Sequence, residues 1–95
     1  MSDQELSTEL KLVEANSSTN MDQLADEILQ RRRNDLTINI DGVERIDTPA
    51  IEILLSAAKL WREESCKLGI VGNSEAFDSA LAILGIPRTE LEVGA

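Results

Sequence analysis

Apolar residues recur along this chain at two periods, and the periods take turns. Within Thr8–Val13, Leu10 and Leu12 share one face of an alternating run, a short strand signal. Met21, Leu24, Ala25, Ile28 and Leu29 then fall at i, i+3, i+4, i+7 and i+8, one face of an amphipathic helix. Leu36–Ile40 returns to period two, with Leu36, Ile38 and Ile40 on one face and β-branched residues favouring a strand. From Pro49 to about Glu63 the pattern is helical again. Ala50, Leu54, Ala57, Ala58 and Trp61 form its inner face, and Glu52, Ser56, Lys59 and Glu63 its wet stripe. Lys67–Gly72 is a short apolar strand, and Ala76, Phe77, Ala80, Leu81 and Leu84 mark the inner face of a third helix.

The punctuation between these runs is consistent with them. Ala15–Asn20 is turn chemistry, and Thr19 or Asn20 is the expected N-cap of the first helix. Arg31, Arg32 and Arg33 read as its C-terminal turn, where cations suit the helix dipole. Asp41-Gly42 would suggest a hairpin, but the helix that follows so closely makes a bend the better reading. Thr48 is the expected N-cap of the second helix, with Pro49 at its first position, where a missing N–H costs nothing. Asn73 or Ser74 caps the third helix, and Gly85 with Pro87 ends it. The tail from Arg88 to Ala95 reads as a short strand or a frayed turn, and residues 1–7 as frayed.

Strand and helix thus alternate three times. That order implies an α/β fold: a small, mostly parallel β-sheet with amphipathic helices packed on it, in one domain over residues 1–95. Apolar residues are 42% of the chain and aromatics only 2%, so the core must come from Leu, Ile, Val and Ala.

Charge and chemistry narrow the function. A net charge of −9 argues against nucleic acid, which needs clustered Lys and Arg; the one basic run is three residues long. The chain has one cysteine, Cys66, and no histidine, which removes disulfides, thiolate or imidazole metal sites and the usual general base. Asp47 beside Thr48 is a poor base–nucleophile pair, because adjacent side chains diverge; Asp47 is read instead as a corner hydrogen-bonding residue. No cofactor and no metal are expected. No apolar run approaches the roughly 18 residues of a membrane span, and the acidic N-terminus lacks a signal-peptide core, so a cytoplasmic protein is expected.

What remains is the corner between the second strand and second helix, since sites in such sheets gather at strand carboxyl ends. The stretch Asn39–Thr48, N-I-D-G-V-E-R-I-D-T, the later L-G-I-V-G-N-S and the A-L-A-I-L-G-I that follows resemble the STAS domain of sulphate transporters and anti-sigma-factor antagonists. The resemblance spans about Thr8 to Ile86. It implies a binding module and not an enzyme. In anti-sigma antagonists of that family the Ser or Thr after the motif aspartate is phosphorylated, which ends binding to a kinase-like anti-sigma factor; by position that residue is Thr48. Here Pro49 and Ala50 replace the small hydroxyl residue and glycine that usually follow.

The expected function is therefore a regulatory protein-binding module, switched at Thr48, in a partner-switching or chemotaxis-type system. The alternative is an accessory STAS subunit bound to the ATPase of a lipid-transporting ABC system. The partner-binding candidates are Asp41, Glu44, Arg45, Asp47, Thr48, Pro49, Glu52, Asn73 and Ser74. A kinase-like anti-sigma factor, a chemotaxis component or an ABC ATPase is the expected partner, and a monomer or weak dimer the expected state. Trp61 is expected in the core, and Cys66 inert near a helix end.

Overall fold

A computed structural model describes residues 8–12 and 21–94, with the side chains of 21–23 excepted. Three strands, β1 (Thr8–Lys11), β2 (Leu36–Asn39) and β3 (Leu68–Val71), form one sheet in that order. Both pairings are parallel. Thr8, Leu36 and Leu68 lie in one register row, and Leu10, Ile38 and Ile70 in another. Parallel neighbours require long crossovers, and each here contains a helix: α1 (Met21–Leu29) between β1 and β2, and α2 (Thr48–Glu63) between β2 and β3. A third helix, α3 (Glu75–Leu84), follows β3, and a 3₁₀ turn spans Arg88–Leu91.

The expected faces are those that pack, except at the end of α1, where Leu29 is 47% exposed. Leu10 and Leu12, Leu24 and Ile28, Leu36, Ile38 and Ile40, and the Ala50–Leu54–Ala57–Ala58–Trp61 stripe are all buried, with Ile51 beside them. Trp61 is completely buried, and its indole N–H donates to the Asn34 carbonyl at 2.8 Å, so its one polar atom is satisfied. Cys66 is half-buried, its thiol facing the Glu64 carbonyl. On α3, Phe77 and Leu81 are buried and Ala76 and Ala80 half-buried. Leu84 is not: it is 40% exposed, because the helix ends at Gly85 and the last turn overhangs the core.

The tail is nearer the expected short strand than the frayed turn, here as a single antiparallel bridge of Val93 to Leu68. It is packed, not frayed: Leu91 is fully buried, and Val93 exchanges backbone hydrogen bonds with Leu68 at 3.0 and 2.8 Å, antiparallel to β3. The Thr19/Asn20 cap and the turn before α1 lie outside the described residues. The arginine run lies just past α1 in a turn that ends at Arg33 with φ 69°. Arg31 donates to the Glu27 carbonyl and pairs with its carboxylate at 3.0 Å; Arg32 pairs with Glu64 at 2.5 Å. The run ties α1 to the end of α2, where α2 closes in a left-handed Ser65 with Cys66 N–H bonded to the Trp61 carbonyl.

The Glu64 carboxyl is held below its ordinary value of 4.5, chiefly by the Arg32 hydrogen bond, against the smaller upward push of desolvation. A carboxyl with a lowered folded pKa stabilises above its unfolded value and loses that stabilisation as pH falls through the folded one. Wild type is therefore expected to lose stability to acid below about pH 4.5 more steeply than Arg32→Ala, measured as urea midpoints across pH 3–7. Gly72, at φ +95°, allows a Cβ no room: it would stand 2.7 Å from Asp41 Oδ1 and 2.8 Å from Asn39 Oδ1. Gly72→Ala is expected to cost about 2 kcal/mol or more in urea unfolding, from both the backbone and the clash.

Candidate functional site

Because β2 and β3 are neighbours, the loops that leave them meet. The Asn39 side chain accepts from the Asp41 amide at 2.9 Å and donates to Glu9 of β1 at 2.9 Å. Asp41 Oδ1 accepts from the Asn73 amide at 2.7 Å, across Gly72. The Ser74 hydroxyl donates to the Val43 carbonyl at 2.7 Å and accepts from Phe77 N–H at 3.0 Å, capping α3. The carboxyl ends of β2 and β3 are thereby tied together, with β1 reached through Glu9 and Val43 buried beneath.

This arrangement sorts the candidates. Asp41 and Asn73 are exposed, but an oxygen of one and the amide of the other are used in holding the corner. Ser74 is buried, at 7% exposure, and both hydroxyl functions are engaged; it is removed from the exposed set. Position 73 or 74 suggested a cap in the sequence, but the Val43 contact crosses 31 residues and has no local signature. Glu44, Arg45, Asp47, Thr48, Pro49 and Glu52 are exposed and follow one another from the bend at Gly42 onto the outside of α2.

The start of α2 is shifted by one residue from the sequence reading. Asp47, in extended conformation, is the N-cap; Thr48 is the first helical residue and Pro49 the second. Asp47 makes no side-chain cap bond, so its expected role as a corner hydrogen-bonding side chain is not seen. The main chain does that work: the Asp47 carbonyl accepts from Ala50 and Ile51 at 3.0 and 3.2 Å. A proline lacking N–H is acceptable at either of the first two positions, which is why the spacing alone misplaced the cap. Thr48 therefore carries an exposed hydroxyl with no capping duty. Ala50 is fully buried two residues later.

Beside this corner lies a groove of about 470 Å³ between α1 and α2. Ala25, Ile28 and Leu29 form one wall. Pro49, Ile53, Ala57, Leu60 and Trp61 form the other, with Glu52 and Ser56 as its polar members. Leu29 is 47% exposed, and Ile53 and Leu60 are half-buried. Sequence reading missed the groove because it sought one apolar stripe per helix. Pro49, Ile53 and Leu60 are a second stripe on α2, at i, i+4 and i+11, flanking the buried one; their spacing was the available signal.

Among the described residues no cluster of Cys, Asp or Glu is placed to hold a metal ion, and no helix is long and apolar enough to cross a membrane. The sequence model of the family described as "Mlab, STAS domain" matches residues 4–92. No curated protein and no solved structure matches the chain.

The division of labour at the corner is testable by denaturation. Thr48→Ala is expected to stay within about 0.5 kcal/mol of wild type, as an exposed residue outside the network. Ser74→Ala should cost about 2 kcal/mol, from a lost cap and an unsatisfied buried carbonyl.

Proposed function

The chain belongs to the STAS domain family, and from that premise we propose that it is a non-enzymatic docking module, held by its α1–α2 face against a larger protein as an accessory subunit. Members of the family are generally protein-binding domains. The observation that carries this reading is the groove: an apolar concavity about three helical turns long on α2, open beside an exposed proline and threonine. A mostly apolar concavity with a few polar members is the usual character of a binding site. Of the two partner classes implied by resemblance, a lasting one suits it better, and the ATPase of a lipid-transporting ABC system is that partner.

The start of α2 supports the same choice. A helix N-terminus cradles phosphate through its free amides. Here Pro49 offers none, and the amides of Ala50 and Ile51 are turned to the Asp47 carbonyl. A phosphate on Thr48 would gain little from the protein itself.

One observation favours a second reading, a partner-switching regulator released by phosphorylation. Thr48 is exposed and its hydroxyl caps no helix, one residue before Pro49, which lines the groove. A phosphate there would bring about −1.5 to −2 charges to an interface already next to Asp47 and Glu52.

Affinity capture from native cells, read by quantitative mass spectrometry, separates the readings. The wild type and Thr48→Glu are expected to retain one ABC ATPase equally, and Ile53→Glu to lose it by about tenfold or more. A kinase-like or chemotaxis partner lost from Thr48→Glu would replace the first reading by the second. Equal capture of the same ATPase by Ile53→Glu would remove the groove from either.

A further inference from the structure

The sheet ends at β3, and an edge strand exposes unpaired backbone groups that another strand can take. In this chain the outward carbonyls and the first outward N–H of that edge have partners. The Lys67 and Val71 carbonyls face inward, accepting from Leu36 and Ile40 of the β2 segment at 2.9 Å each. Leu68, Ile70 and Gly72 consequently face outward. Leu68 is taken at both its N–H and its carbonyl by Val93. The carbonyls of Ile70 and Gly72 are taken by a single side chain: the Arg88 guanidinium donates to them at 3.2 and 3.3 Å.

We propose that residues Arg88–Gly94 act as an edge guard, in which Val93 occupies both outward groups of Leu68 and Arg88 the outward carbonyls of Ile70 and Gly72, and so prevent a second copy of this chain from adding to the sheet there. One guanidinium nitrogen, Nη2, donates to both carbonyls two residues apart, while Nη1 faces Asp78. It also leaves a cation on the edge, a second deterrent to strand addition. The segment is anchored for this role. Leu91 is fully buried between Arg88 and Val93, and Gly94 at φ +84° lies so close to Lys67 that an added Cβ would stand 2.7 Å from its Cγ. Arg88 is positioned further by Asp78 of α3, at 3.9 Å. A second copy is the natural competitor, because its own β3 (Leu-Gly-Ile-Val) is apolar, uncharged and two-fold repeatable against itself.

The guard is independent of what docks on the α1–α2 groove. Its test is the association state of purified full chain by size exclusion with light scattering over a hundredfold concentration range, alongside infrared spectra for intermolecular strand pairing. Arg88→Ala and Val93→Pro are the variants, and Leu54→Ala is the control that loosens the core without touching the edge. The expected result is self-association of Arg88→Ala strengthened about tenfold or more over wild type, with an intermolecular strand signal, and a Leu54→Ala that associates as wild type does. Should Val93→Pro fail to fold, Arg88→Ala alone decides. Arg88→Ala at the wild-type association state, or Leu54→Ala associating as strongly as it does, would overturn the proposal.

Discussion

A carboxylate and a hydroxyl at the carboxyl end of the sheet hold the arrangement on which the rest depends. Asp41 binds the Asn73 amide, and buried Ser74 binds the Val43 carbonyl. Parallel strands need long crossovers, so their ends are far apart in sequence and have no turn to fix them. These two contacts, each across more than thirty residues, supply the fixation. They set where the chain leaves β2, and therefore where α2 begins. The position of α2 in turn decides how α1 lies against it and what concavity is left between them. Gly72 is part of the same constraint, because any side chain there would displace Asp41 and Asn39.

That framework leaves Thr48 outside it. The residue that looks most like a structural cap in the sequence is relieved of the role by Asp47, one position earlier. The helix start is built from main chain and proline, and the exposed Thr48, Pro49 and Glu52 are left to meet something else. A corner that is rigid beneath and uncommitted above is suited to recognition, since little ordering is lost when a partner docks. The adjoining groove adds the apolar area that the charged corner lacks.

Much of this was legible in the sequence. The stripe from Ala50 to Trp61 and the Leu36–Ile38–Ile40 face are buried as their periods require, and Gly85 ends α3 in the left-handed conformation its position implies. Periodicity reports which face is inside, and these elements have one inside face. It fails where burial is decided by distant contacts. Leu84 fits the α3 stripe but overhangs the core, and Leu91 belongs to no stripe yet is fully buried because the tail folds back on β3. Ser74 showed its cap but not its bond to Val43, and the second apolar stripe of α2 gained meaning only once α1 stood beside it. The arginine run was placed at the right end of α1, and Glu27 stands at the i, i+4 spacing from Arg31, but Glu64, 32 residues from Arg32, could not be read from spacing.

The central claim is that the α1–α2 face is where the partner sits. Hydrogen–deuterium exchange of the chain, free and in complex with the protein it captures, tests that claim most directly. Slowed exchange is expected in residues 25–29 and 48–61 on binding, with residues 88–94 unchanged. Protection confined to α3 or the β1 edge, with α2 exchanging as in the free chain, would contradict it.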